Sequence, residues 1–197
     1  MAEINYNDVA EYVLRRLDKE LPPNLYYHGS WHTRDVLEAV EMLAKLEGVD
    51  GEELILLKSG ALFHDIGFLE QYKDNESIGV RIAKETLPNF GYNREQIEVI
   101  TGIILATRLP QSPTTKLEEL ICDADLDNLG REDFYIKTEQ LRRELAEYGT
   151  LKSPRKWYES LILFLEQHKY FTKSARKLRQ EGKEKHLKEI KELLGIR

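Results

Sequence analysis

The sequence predicts an all-α protein, and three observations support this fold class. Apolar residues recur every three or four positions through nearly the whole chain, which is the spacing of one helix face. No segment alternates apolar and polar residues as a half-buried strand does. Proline and glycine interrupt the apolar spacing, as they do between helices. We therefore expect a helical bundle of about nine segments.

The predicted helices follow one another with turn residues between them. The first three are defined by their apolar positions, namely Val9, Val13 and Leu17, then Val36, Val40, Leu43 and Leu46, then Leu54, Leu57, Ala61 and Phe63. Six more are predicted at 78–87, 94–107, 115–129, 132–148, 154–171 and 172–194. The breaks fall at Pro22-Pro23, at Gly48 with Asp50-Gly51, at Pro88 with Gly91, at Pro110 with Pro113, and at Gly149. The last helix has only a thin apolar stripe among charges of both signs, so we expect a solvated helix, with a helix that binds a partner as the alternative.

The composition is that of a folded protein and argues against several functional classes. The 197 residues are 41% hydrophobic and 32% charged, and no repeat or linker divides them, so we expect a single domain over 1–197. A net charge of -6 argues against general nucleic-acid binding, which needs a basic surface. Cys122 is the sole cysteine, which excludes a disulfide within the chain and fits a reducing compartment. No apolar run is long enough for a signal peptide or a membrane span, so we expect a cytoplasmic protein without membrane association.

Three short segments carry residues that can bind a metal. In the run 61–67 an apolar helix ends in His64-Asp65, and two such groups in an apolar setting each need a partner. A divalent cation satisfies both, because imidazole nitrogen and carboxylate oxygen are good ligands for Mn, Fe, Co, Ni or Zn. A histidine paired with its neighbouring aspartate at a helix end is an equally good interpretation of this dipeptide alone.

The other two segments supply a histidine and an aspartate. Ser30 is a candidate N-cap, and His32 lies on the apolar face of the helix that follows, although a lone histidine there is usually structural. Asp123, Asp125 and Asp127 occupy alternate positions of a helical run, about 200° apart, so at most one or two of them can reach the interior. Asp125 is the best inward candidate.

Taken in order, His32, His64-Asp65 and Asp125 resemble the H…HD…D motif of the HD superfamily of metal-dependent phosphohydrolases. The resemblance covers 26–130 and implies an HD-type helical core at about 26–130, with further helices at about 131–197. It also implies that these four residues are the metal ligands, and that Asp65 takes part in catalysis. In that family the last aspartate begins an Asp-x-x-x-Leu-Gly segment, which here runs from Asp125 to Gly130 and so favours Asp125 over Asp123.

A second resemblance concerns the histidine that precedes the motif. The segment from Tyr27 to Val36 is similar to that of cyclic-nucleotide phosphodiesterases, in which the first histidine donates a proton to the leaving group. This similarity implies that His28 is the general acid, a role that suits an imidazole close to a cation. The alternative is that His28 is a surface loop residue.

Two departures from the family narrow the expected chemistry. Many binuclear members have a further histidine after the HD pair, where this chain has Asn75-Glu76, so we expect one divalent ion per chain. A second ion such as Mg, bridged by Asp65 and held otherwise by water, remains an alternative. The acidic pair that follows the HD dipeptide in alarmone hydrolases is replaced here by Ile66-Gly67, which makes that substrate class less suitable.

Two further residues are candidates for substrate contacts. Arg108 follows an apolar helix, where its guanidinium can bind a phosphate through two hydrogen bonds, or can simply complement the helix dipole. Glu76 can orient a water molecule.

The sequence thus predicts a metal-dependent hydrolase that uses metal-activated water to cleave a phosphoester, with a nucleotide or a related small phosphorylated compound as substrate. The first alternative is a catalytically silent HD-like domain that binds a nucleotide or a protein partner. The second is oxygen chemistry at a di-iron site, which ordinarily needs the histidines that this chain lacks. A homo-oligomer is compatible with all three.

Overall fold

The described part of the chain is built from α-helices, which confirms the predicted fold class. The computed structural model describes residues 4–150 and 153–196, and no strand occurs among them. Its helices are α1 (Tyr6–Glu20), α2 (Ser30–Glu47), α3 (Gly51–Phe63), α4 (Asn75–Thr86), α5 (Arg94–Ala106), α6 (Lys116–Asp125), α7 (Phe134–Glu147), α8 (Pro154–Gln167) and α9 (Lys173–Leu194). Short 3-10 turns lie at Ile66–Leu69, Leu87–Phe90 and Asp127–Gly130. Across 4–150 and 153–196, every helix is too short or too polar to cross a lipid bilayer.

Helix α3 lies at the centre of the bundle because it is apolar on both sides. Its Leu57 and Ala61 belong to a cluster with residues of α2, α5 and α6, whereas Leu62 and Phe63 belong to a second cluster with α1, α4 and α5. A helix that is apolar all round is one that is covered all round. The C-terminal end of α3, which carries the HD pair, is therefore placed in the middle of the fold.

The three C-terminal helices form a third apolar cluster beside this bundle. Phe134 of α7, Trp157 and Leu165 of α8, and Ile190 of α9 pack together with Leu129. A solvated last helix was expected, but α9 is in part buried, because its thin stripe packs on the Asp127–Gly130 turn, on α8 and on α2. Only glycine fits at this contact, since a Cβ on Gly130 would meet a backbone oxygen of α9 at 2.2 Å.

Some predicted helix ends and faces differ from the structure. The predicted helix at 115–129 ends at Asp125, where the backbone changes to a 3-10 turn that keeps a similar apolar spacing. The N-cap of α2 is Gly29 and not Ser30, and no side chain caps this helix. Leu46, which we assigned to the apolar face of α2, is 55% exposed.

A buried histidine joins α8 to α9. Lys183 donates a hydrogen bond to the backbone oxygen of His168 at 2.6 Å, and its Nζ lies 3.4 Å from the imidazole Nδ1. Burial, together with the positive charge of Lys183, lowers the pKa of His168 to about 4. The folded protein therefore keeps this ring neutral at pH values where the unfolded chain, with a histidine pKa of about 6.5, binds a proton.

We expect the free energy of unfolding to fall as the pH is lowered from about 6.5 to 4, because the unfolded state binds more protons in this window. Urea denaturation at several pH values measures this slope. The variant His168→Gln, which cannot titrate, should show a shallower slope than the wild type. An identical slope in the two proteins would mean that His168 does not set the acid sensitivity.

Candidate metal centre

Four side chains from three helices meet in the centre of the fold. His32 comes from α2, His64 and Asp65 from the end of α3, and Asp125 is the last residue of α6. Among the described residues, His32, His64 and Asp125 offer ligand atoms that all lie within 4.8 Å of one another. Asp65 adds its Oδ2, which lies 3.2 Å from Nε2 of His64 and 3.5 Å from Nε2 of His32. The structure thus brings together the four residues that the motif singled out.

The local backbone explains how the HD pair is presented. Helix α3 ends at Phe63, and the chain turns at Asp65 (φ -110°, ψ 3°) into a 3-10 turn. Gly67 allows this turn to lie against the start of α4, because a Cβ there would be 1.9 Å from the backbone oxygen of Asn75. The glycine that follows the pair is therefore required by close backbone packing.

Hydrogen bonds orient the histidine of this pair toward the cluster. Nδ1 of His64 lies 2.7 Å from the backbone oxygen of Ala61 and donates to it, so Nε2 is the nitrogen that faces the other ligands. The two Nε2 atoms of His32 and His64 are 3.4 Å apart, and that of His32 is 3.1 Å from Oδ1 of Asp125. Burial would lower the pKa of His64, but the nearby charges of Asp65 and Asp125 raise it well above its usual value.

A buried carboxylate oxygen indicates what the cluster can hold. Among the described residues, Oδ2 of Asp65 makes no hydrogen bond and has only the two imidazole nitrogens of His32 and His64 as polar neighbours, whereas Oδ1 accepts a bond of 3.3 Å from Nδ2 of Asn75. A buried carboxylate oxygen without a partner is costly unless a cation compensates its charge. Two imidazole nitrogens and two carboxylates are a common ligand set for divalent transition metals, so these residues fit a divalent cation.

The other two aspartates of the 123–127 segment have structural roles. Asp123 is buried and accepts hydrogen bonds of 2.8 Å from the backbone amides of Phe171 and Thr172, at the start of α9. Asp127 is also buried and forms an ion pair with Arg179 of α9 at 2.6 Å. Two of the three aspartates are thus buried, as expected, because α9 covers the side that faces away from the cluster; Asp125 is partly exposed and lines the cavity.

His28 lies beside the cluster and is held by a glutamate of α7. Nδ1 of His28 hydrogen bonds to Oε1 of Glu144, while Oε2 accepts from the backbone amides of Tyr27 and His28 at 2.8 and 3.0 Å. The hydroxyl of Tyr72 also donates to Glu144, at 3.0 Å. Burial would lower the pKa of His28, but the hydrogen bond to Glu144 and the charge of Asp65 raise it. The interpretation of His28 as a surface residue is wrong, since its side chain is only 21% exposed.

A cavity of about 460 Å³ opens next to these residues. Asp65, Asp125 and His28 line it together with side chains of α7 and α8. Glu76 lines the cavity, as a substrate-contacting residue must. Lys137 of α7 also lines it, with its Nζ 3.3 Å from the centre of the Trp31 ring.

Arg108 lies outside the residues that line this cavity, close to Glu76. Its guanidinium hydrogen bonds to Asp74 and to the hydroxyl of Ser77, and its Nε is 3.7 Å from Oε2 of Glu76. The side chain is 47% exposed. A role of Arg108 in binding substrate stays a prediction.

Sequence reasoning missed Glu144 and Lys137. Both lie on α7, far along the chain from the motif, and only the packing of the C-terminal helices brings them to the site. Glu144 did leave a signal in the sequence, since it falls between Leu141 and Leu145 on the apolar stripe of its helix. A carboxylate on such a stripe has to be paired inside the protein.

Comparisons with known proteins place the chain in a family. The family model of the HD domain matches residues 30–128, which is half of the chain. An uncharacterized protein of Clostridium beijerinckii is 31% identical over 108 residues, which are 53% of this chain and 68% of that relative. The chain therefore belongs to the HD domain family, whose members bind divalent metals.

Solved structures agree on the fold. A predicted HD superfamily hydrolase from an uncultured Thermotogales bacterium has a TM-score of 0.65 at 18% identity, over 96% of this chain and 91% of that one. Bacillus subtilis YpgQ in complex with ADP has a TM-score of 0.66 at 19% identity, over 95% and 94% of the two chains. YpgQ in a second structure has a TM-score of 0.67 at 17% identity, over 96% of both chains. At these identities the likeness concerns the fold.

Proposed function

We propose that this chain is a metal-dependent phosphohydrolase that cleaves a phosphoester of a nucleotide or of a related small phosphorylated compound. The observation that carries the proposal is the convergence of two imidazole nitrogens and two carboxylates beside a cavity, with one buried carboxylate oxygen of Asp65 that makes no hydrogen bond. Membership of the HD family supports the same chemistry. The nucleotide is suggested by the ADP bound to YpgQ, a protein of the same fold.

The residues of the cluster hold one divalent ion per chain in this proposal. Its ligands are His32, His64, Asp65 and Asp125. Asn75 orients the carboxylate of Asp65 by donating a hydrogen bond to its Oδ1. A bound divalent cation supplies a Lewis acid that lowers the pKa of water and offsets the charge of a phosphoryl group. The protein contributes by leaving the cavity side of the cluster open to substrate and water.

The neighbouring residues bind the substrate and supply a proton. His28, oriented by Glu144, donates a proton to the departing oxygen, which is how a positioned imidazole assists an ester with a poor leaving group. Lys137, which lines the same cavity, supplies a positive charge for the phosphoryl group. Arg108 contacts the phosphate of the substrate. Glu76 contacts the substrate or orients a water molecule.

The proposal is tested with metal-depleted protein in a screen of phosphomonoesters, phosphodiesters and nucleotides. We expect no turnover after exhaustive chelation, and recovery when Mn, Mg, Co or Ni is added back. Metal analysis of the same samples gives the number of ions per chain, which we expect to be one. Turnover that persists in protein shown to be metal-free would contradict the proposal.

A further inference from the structure

One wall of the cavity is apolar. It is formed by Leu129, Leu141, Leu145, Trp157, Leu161 and Phe164, which we call the apolar wall. Among the described residues, Thr138 and Ser160 are the polar side chains that α7 and α8 add to this lining apart from Lys137. Closer to the metal centre, Asn128 accepts a hydrogen bond from Tyr27 and Asn75 donates one to Asp65. The wall therefore offers contact area but few hydrogen-bond partners.

The charges of the cavity are also unsuited to a highly charged substrate. Its described lining carries the carboxylates of Asp65, Glu76 and Asp125, against the ammonium group of Lys137 and the imidazole of His28. Lys137 is itself 3.6 Å from Oδ2 of Asp35. The carboxylates of Asp65 and Asp125 balance the charge of one divalent ion, which leaves Lys137 as the fixed positive charge available to one phosphoryl group. A chain of phosphates would bring further negative charges next to the carboxylates.

From these two features we infer that the substrate is a phosphate ester with one phosphoryl group on a bulky apolar body, which rests on the apolar wall. This inference rests on the proposed function and selects between its two substrate classes: it favours a small phosphorylated compound over a nucleotide. In the reaction, water forms a bond to phosphorus as the ester P–O bond breaks, so that R–O–PO3²⁻ and water give R–OH and HPO4²⁻. A nucleobase is disfavoured, because its polar edges would be buried without partners on this wall.

The inference predicts a dependence on chain length in a series of alkyl phosphates. Ethyl, butyl and hexyl phosphate have leaving groups of nearly equal reactivity and differ in apolar area. If the chain rests on the apolar wall, kcat/KM should rise about fourfold for each added methylene, which is about 250-fold over the four methylenes from ethyl to hexyl phosphate. The assay uses the wild-type protein with Mn²⁺, and AMP, ADP and ATP are measured in parallel.

A matched pair of variants on α8 locates the effect. Phe164→Gln replaces a half-buried residue of the apolar wall, and it should lower kcat/KM for hexyl phosphate about tenfold or more, while ethyl phosphate is little affected. The control Leu163→Gln changes the neighbouring side chain, which is exposed and does not line the cavity. It should leave both substrates unchanged.

The outcomes separate the inference from the proposed function. A flat chain-length series, or a kcat/KM for ATP above that for hexyl phosphate, overturns the inference and leaves phosphoester hydrolysis in place. Hydrolysis of none of these esters in Mn²⁺-loaded protein overturns the proposed function and the inference with it. The alkyl series is measured on the wild type, so the test remains decisive if Phe164→Gln fails to fold.

Discussion

Replacement of His64 by alanine is expected to remove the bound metal and to lower kcat/KM by about 10³-fold or more. The cluster then loses the imidazole that Ala61 orients, and with the ion it loses several kcal/mol of charge stabilisation in the transition state. Metal analysis and steady-state kinetics on the same preparation measure both effects.

Asp123→Asn provides the matched control, because Asp123 lies two residues from Asp125 but is bound to the backbone of 171–172. It should keep one ion per chain, even if its stability is reduced.

Mn²⁺ at about one hundred times its Kd should stabilise the wild type by about 2.7 kcal/mol, or about 5 to 10 °C in Tm, and should leave the Tm of His64→Ala unchanged. Full metal occupancy in His64→Ala would show that this residue is not a ligand.

His28→Ala is expected to lower kcat by about 10² to 10⁴ on an alkyl phosphate with metal content nearly intact, and to lower Tm because the buried Glu144 loses a partner. The reason is that His28 acts on the leaving group and lies outside the set of ligands. A nitrophenyl ester, whose leaving group needs little protonation, should be affected much less. The two substrates measured side by side separate proton donation from a general loss of structure.

Glu144→Gln tests whether Glu144 positions this proton donor. The amide keeps the size of the side chain but cannot carry the negative charge that raises the pKa of His28. It should therefore shift the pH profile for the alkyl ester toward lower pH and leave metal content unchanged.

Equal losses on both ester types in His28→Ala, or loss of its metal, would contradict the role of His28 as the acid.

The convergence of the four residues of the candidate metal centre could be predicted because its information is local. His64-Asp65 ends a helix whose apolar character is visible in the sequence, and His32 shares the spacing of Val36 and Val40. Periodicity made Asp125 the best inward candidate, and the family motif favoured it over Asp123. Burial alone does not separate the two aspartates, since Asp123 is more buried than Asp125.

The surroundings of the centre depend on tertiary packing, which the sequence pattern does not encode. Glu144 hydrogen bonds to His28, which is 116 residues earlier in the chain, and this contact depends on how α7 packs on the bundle. The end of α6 was missed because the 3-10 turn after Asp125 keeps a similar apolar spacing. Likewise, the burial of α9 depends on the ion pair of Arg179 with Asp127 and on Gly130, two features with no local signature.

The most direct test of the metal centre is an anomalous difference map from crystals grown with Mn²⁺. We predict one strong peak per chain, at about 2.0 to 2.3 Å from Nε2 of His32 and His64 and from a carboxylate oxygen of Asp65 and Asp125. Asp123 should remain on the backbone amides of 171–172 in the same map. A peak bound by other residues, or none at this cluster in crystals saturated with Mn²⁺, would contradict the account.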